Sequence, residues 1–184
     1  RLAELAPRSA VAAQGSDTLA LSAAREWIAL APKDADAHQF AASLYLGAGD
    51  TTHAMDELHQ VLALDTEGNG FVTIAAMLSR EPDKDAALKI MKQFMTEYGN
   101  DADAQYAFGY VAFRKGDMDT AMKAMDAALK LRPDWTRAII FRARLLAAQG
   151  NPNAAVSYLK DSVRRLPKEK DLRFAYAQAL LGAK

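Results

Sequence analysis

Glycine, alanine and proline return in this chain at a spacing of thirty-four residues, and that period constrains the fold more than any other feature. Gly15 is followed by Gly49, Ala20 by Ala54, Gly116 by Gly150, Ala121 by Ala155 and Pro133 by Pro167, each pair thirty-four apart. Ala54 to Ala87 is thirty-three residues and Ala87 to Ala121 is thirty-four again. Such a period marks one supersecondary unit used repeatedly. A unit this small cannot bury its apolar face alone, so it must stack on its neighbours.

The clearest copy is 101–133, DADAQYAFGYVAFRKGDMDTAMKAMDAALKLRP. It reads as two helices joined by a turn at Lys115-Gly116-Asp117. The first carries small residues where helices approach closely, namely Ala104, Ala107, Gly109 and Ala112. The second carries Ala121, Met125, Ala128 and Leu129, spaced by three and four as one helical face requires. Pro133 stops it, because it offers no N–H and disfavours helical geometry in the residue before it.

This helix–turn–helix period resembles the tetratricopeptide repeat family. Phe108-Gly109, Gly116, Ala121, Ala128 and Pro133 fit the family pattern, as do Ala143, Leu146, Gly150, Ala155, Leu159 and Pro167. Two departures stand out: no Trp opens a first helix, and Ser162 replaces the usual last Ala. The resemblance implies an all-α, right-handed superhelical solenoid of about five repeats and a terminal helix. They are placed at 1–34, 35–68, 69–101, 102–135, 136–169 and, in part, 170–184. The chain opens at Arg1 and stops at Lys184, where a second helix should follow, so we read it as a piece of a longer array.

Along the chain, the period predicts first-repeat helices near 7–14 and 18–30, with 1–6 frayed by Pro7, Asp17 capping the second helix and Trp27 in the core. Repeat two predicts helices near 35–48 and 51–64. Its His38, His53 and His59 lack any metal-ligand spacing and read as solvent-exposed. In repeat three, Gly68-Asn69-Gly70 should loosen the approach to a short helix near 71–79. A helix over 84–98 should then end at Gly99-Asn100 in a left-handed stop. Trp135 should pack between repeats four and five.

Lys and Arg total 23, as do Asp and Glu, so no global charge draws the chain to nucleic acid or anionic membrane. Residues 1–100 hold 8 basic and 14 acidic side chains, whereas 101–184 hold 15 and 9. Two readings stay open: unevenly solvated faces, or a partner (or second copy) of opposite polarity. RNA binding is disfavoured, because repeats two and three lack a basic groove. With no Cys, disulfides, thiolate metal sites and a Cys nucleophile are excluded. No apolar run approaches the roughly eighteen residues of a membrane span.

The resemblance implies that first helices line a concave groove through about their second, fifth, ninth and twelfth positions. It thereby places Tyr106, Tyr110, Phe113, Arg144 and Phe174 on that surface, with Arg114 and Arg137 at the rim. Tyr and Arg often dominate interface energy. The aromatic cluster reads either as a protein- or peptide-binding contact or as packing against neighbouring helices. A family clamp for a carboxy-terminal carboxylate needs Lys and Asn where this chain has Gln39, Ser43, Thr73 and Met77, so the clamp is disfavoured. No activated nucleophile, paired carboxylate or cofactor motif is present. The densest polar group, Asp56-Glu57 with His53 and His59, falls on a second-type helix. The expected function is a non-catalytic, cofactor-free and metal-free scaffold or adaptor. Head-to-tail self-assembly is the alternative.

A narrower resemblance rests on WIALAPKDADAHQ, MLSREPDKDAALKIMKQF, LRPDW and DLRFAYAQALL. These are similar to large repeat lipoproteins of Gram-negative bacteria. The resemblance implies a location at the periplasmic face of the outer membrane and a carboxy-terminal processing protease as partner. A cytoplasmic location stays open beside it.

Overall fold

The computed structural model describes residues 5–183, with side chains from residue 18 onward. Among the described residues there are ten α-helices and no strand. They are α1 (Leu5–Leu30), α2 (Ala35–Gly47), α3 (Thr51–Ala63), α4 (Gly70–Arg80), α5 (Lys84–Tyr98), α6 (Ala102–Lys115), α7 (Met118–Leu131), α8 (Thr136–Ala148), α9 (Pro152–Arg165) and α10 (Lys170–Gly182). The chain forms two compact units, 1–86 and 87–184, divided within α5.

One short device builds the hairpins. Gly49, Gly116 and Gly150 adopt φ of 74°, 86° and 84°, which a side chain would resist. The left-handed residue lets the next N–H close the helix: Asp50 N–H donates to Tyr45 O and Asp117 N–H to Ala112 O, both at 2.9 Å. Each Asp then starts the following helix. Asp50 accepts from His53 N–H at 3.1 Å, and Asp117 from Thr120 N–H at 3.0 Å. Asp101 caps α6 the same way, accepting from the N–H groups of Asp103 at 2.7 Å and Ala104 at 2.9 Å.

In the first unit, α2 packs between α1 and α3, and α3 also touches α4. Ala37, Ala41, Ala42, Ala54 and Leu58 are completely buried. In the second unit, α6 pairs with α7 and α8 with α9, while α10 packs on α9 and α8. Its core runs from a cluster around Ala112, Met125 and Phe141 to one around Ile139, Leu159 and Leu172, with Leu129 packed against both. Each fully buried Leu, Ile or Met contributes about 1.5–3 kcal/mol relative to exposure. The small residues of α6 do what their size suggests, with Ala104, Ala107 and Ala112 at 1% exposure or less. Trp135 sits partly buried on the Phe141 cluster, as expected.

Several local expectations are corrected. The turn at Gly15 is not formed, since α1 runs unbroken through it. The alanine-rich run at 10–13 favours helix and outweighs the glycine's penalty of about 1 kcal/mol. Asp17 therefore lies inside a helix instead of starting one. Of the frayed start, 1–4 lie outside the described residues, and Leu5 and Ala6 are helical.

Trp27 is not core: it is 40% exposed, donates Nε1–H to Asp34 at 3.0 Å and lies 6.4 Å from the half-exposed ring of Phe40. His38 is buried, with Nδ1 2.6 Å from Glu57 Oε2 and Nε2 3.1 Å from Pro32 O. Gly99 keeps negative φ; the left-handed glycines are Gly49, Gly68, Gly116 and Gly150. The approach to α4 is tied down by Asp65, which accepts from Gly70 N–H at 2.7 Å and whose neighbour two along, Glu67, donates to it at 3.1 Å. Burial pushes the Asp65 carboxyl up, but the N–H groups of Gly70, Asn69, Glu67 and Gly68 outweigh it and hold it below its ordinary value.

Candidate functional site

The expected site residues fall in the second unit, on α6, α8 and α10. Tyr106, Tyr110 and Phe113 lie on one face of α6 and are half-buried. They surround Phe141 of α8, with ring centroids 5.7, 5.9 and 5.6 Å from it. Tyr106 also meets Trp135 at 4.9 Å. Trp135 in turn lies under the Arg132 guanidinium at 4.4 Å. Such aromatic pairs contribute about 0.5–1.5 kcal/mol beyond the area they bury. The inner edges of these rings join α6 to α8, which is the packing reading, while the rings stay partly accessible.

Arg137 and Arg144 are exposed on α8. Burial raises the Tyr106 hydroxyl above its ordinary value, and the charges of Arg137 and Arg144 pull against that rise. Both guanidinium groups therefore act on the same end of the aromatic row. Among the described residues, no carboxylate forms an ion pair with either one. Neighbouring acids are already engaged: Asp103 with Arg132 at 2.7 Å, Asp126 with Arg142 at 2.6 Å and Asp134 with Arg165 at 3.4 Å. Arg114 is exposed in the last turn of α6, and Phe174 is 66% exposed on α10, away from the Phe141 cluster.

Sequence reasoning missed the hollow beside Arg144. An apolar cleft of about 220 Å³ opens between α8, α9 and α10. Ala143, Ala155 and Leu159 form its buried floor, with Ile140, Ala147 and Ala179 on its walls and Arg144 and Gln178 at its edge. The available signal was Ala143/Ala147 on α8 and Ala175/Ala179 on α10, small side chains four apart on helices that pack together. Phe141, the hub of the aromatic row, was also overlooked, because it lies off the positions expected to face a ligand.

The first unit contains a cleft of different character, about 320 Å³, lined by Asp36, Gln39, Asp65, Glu67, Asn69 and Thr73 among others. The polar group suspected at 53–59 is not one cluster: Glu57 pairs with His38, and His53 with Asp50 at 2.6 Å. Among the described residues, no three His, Cys, Asp or Glu side chains are placed to hold a metal ion. Nor is any helix there long and apolar enough to cross a membrane.

Comparison with known proteins adds three findings. Residues 102–134 and 136–179 each match a family model described as tetratricopeptide repeat. A TPR repeat-containing protein of Pseudomonas aeruginosa is 25% identical over 166 residues, which is 89% of this chain and 28% of that protein. The chain thus spans little more than a quarter of that relative. Among solved structures, a thermophilic TPR protein of Thermus thermophilus superposes with TM-score 0.57 at 23% identity, over 94% of this chain and 95% of that one. YrrB, described as a TPR protein with an unusual peptide-binding site, gives TM-score 0.52 at 20% identity, over 91% and 87%. Similarity at these identities shows a shared fold.

Proposed function

Because residues 102–134 and 136–179 match models of the tetratricopeptide repeat, we propose that the chain is a non-catalytic scaffold that binds a protein or peptide on the α6–α8–α10 face of its second unit. One observation carries the reading. An apolar cleft is open to solvent beside Arg144, whose charge no carboxylate of the described residues pairs. Ligand sites are concave and mostly apolar with a few polar groups that orient what binds, and this hollow with Arg144 at its edge has that make-up. The described peptide-binding site of YrrB, a protein of similar fold, supports the same reading.

The test is affinity capture from an extract of the source cell by the 184-residue chain and by an Arg144→Glu/Phe174→Ser variant. Both positions are exposed, so the variant should keep its helicity by circular dichroism. A protein retained by the parent and lost by the variant supports the face. Equal retention by both would move binding elsewhere and refute the assignment.

The narrower resemblance extends the proposal to an envelope adaptor whose partner is a carboxy-terminal processing protease. Co-purification of that protease from a periplasmic fraction tests it, and its absence from the captured material counts against it. The charge polarity supports a second reading, head-to-tail self-association, since unit 1–86 holds 6 basic and 13 acidic side chains and unit 87–184 holds 17 and 10. A mass that stays monomeric by light scattering at low salt would sink it.

A further inference from the structure

The ligand of the second unit can be narrowed by chemistry. We propose that the α8–α9–α10 cleft receives an apolar side chain of an extended acidic segment of a partner protein, and that Arg144, with Arg137 on the same helix, holds that segment's side-chain carboxylates. This rests on the binding face proposed above and adds the class of ligand.

Four observations favour that occupant. The cleft floor is alanine and leucine, so it takes an apolar group and offers no partner to a polar one. Its volume, about 220 Å³, is suited to one side chain and not to a folded element. The charged group at its edge is Arg144, and the register neighbours of Arg144 on the flanking helices are Tyr110 and Gln178, neither acidic. The surrounding unit is basic, and Asp103 on α6 and Asp126 on α7 are neutralised within it. Arg137 shares its register with two acids, Asp103 of α6 and Asp171 of α10, which makes Arg144 the stronger anchor.

Electrostatic selection also acts against alternatives. The first unit's cleft carries Asp36, Asp65 and Glu67, so a basic segment would be drawn there and an acidic one repelled. Specificity then comes from two like-signed refusals as well as from one attractive contact.

The probe is a short peptide of alternating Glu and Gly around a central Leu, acetylated and amidated so that it has no terminal charge, read by fluorescence anisotropy with the full chain. Three companions accompany it: Glu replaced by Lys, Leu replaced by Ser, and a single-stranded RNA oligonucleotide. We expect the Glu/Leu peptide to bind, the Lys version to bind only in a way that Ala147→Phe leaves unchanged, as at the first unit's acidic cleft, and the Ser version to bind roughly tenfold more weakly. Arg144→Glu should weaken binding by tenfold or more, and about 0.5 M salt by a similar factor. Ala147→Phe, which fills the cleft from an exposed wall, should weaken it without touching a charge. Arg164→Glu on α9, 77% exposed and outside the cleft, controls for net charge and should change little.

The proposal is overturned if Ala147→Phe weakens the Lys peptide as much as the Glu peptide, if Arg144→Glu leaves the Kd of the Glu peptide within twofold, or if the RNA binds more tightly than the Glu peptide. Circular dichroism and Trp135 emission check that each variant is folded, and Arg144→Gln gives a gentler second readout. Binding of a neutral or basic peptide that Ala147→Phe abolishes would refute the acidic chemistry and leave the binding face standing. Loss of every peptide, together with equal capture by parent and variant, would refute both.

Discussion

Gly109 of α6 packs directly against Ala121, Ala124 and Met125 of α7. A Cβ built there would lie 2.6 Å from Met125 Cε, 3.1 Å from Ala121 O and 3.3 Å from Ala124 Cβ. Two effects oppose each other in Gly109→Ala. Replacing glycine within a helix by alanine favours folding by about 1 kcal/mol. Forcing a methyl into a filled core costs about 1–3 kcal/mol. Met125 is completely buried, so its flexible end has little room to withdraw, and the Ala121 carbonyl is backbone. The net is a loss of about 1 kcal/mol.

Met125→Ala alone should cost about 2–5 kcal/mol through lost burial and the cavity left behind. In the double variant the worst clash is gone and the new methyl occupies part of that cavity. Gly109→Ala should therefore turn stabilising, giving a favourable coupling of about 1.5–2 kcal/mol. Urea unfolding in a Trp27→Phe background, read by Trp135 emission and by circular dichroism, measures all four corners. Effects that add within about 0.5 kcal/mol would refute the claim that this contact sets the spacing of α6 and α7.

Three further expectations follow from individual contacts. His38→Ala leaves the part-buried Glu57 carboxylate without its 2.6 Å partner and should destabilise the first unit by about 1–3 kcal/mol, read by Trp27 emission in a Trp135→Phe background; a change below about 0.5 kcal/mol would contradict it. Asp117 is held below its ordinary value by the Thr120 side chain first and the Thr120 N–H second. Its contribution is therefore complete above the unfolded carboxyl value near about 3.9 and disappears as pH falls through the lower folded value; Asp117→Asn should keep the cap and flatten that acid dependence of the urea midpoint. Ser162 is 3% exposed and donates to Tyr158 O at 2.8 Å, a carbonyl already within the helix, so Ser162→Ala should raise stability by about 0.5 kcal/mol, and a loss above about 1 kcal/mol in calorimetry would show that the hydroxyl is needed.

Most of the architecture was legible because it depends on short-range chemistry repeated in register. A Gly-Asp pair that ends one helix and caps the next is visible at 49–50 and 116–117 without any tertiary knowledge, and both act as read. The same signal at Gly15 misled, because a left-handed turn forms only where packing rewards it and the alanines before Gly15 favour helix. Trp27 and His38 exchanged roles for a related reason. Burial depends on which face the neighbouring helix covers, and the buried His38 is satisfied by Glu57, nineteen residues away on another helix. At the candidate site, the aromatic row of α6 and the arginines of α8 could be named from the repeat register. The cleft could not, since a hollow is defined by the side chains that are too small to fill it and by three helices at once.

The cleft beside Arg144 has walls contributed by α8, α9 and α10, and so it exists only while α10 is docked on the other two. Helix docking and ligand binding are therefore linked equilibria. The observed affinity is the intrinsic affinity scaled by the fraction of molecules with α10 in place. The linkage runs both ways: the proposed segment, once bound, would hold α10 down and raise the free energy of its local opening by RT ln(1 + [L]/Kd). If the proposed segment binds, the repeat reports its occupancy through its own dynamics, and amide exchange in α10 should slow in proportion to how fully the cleft beside Arg144 is filled.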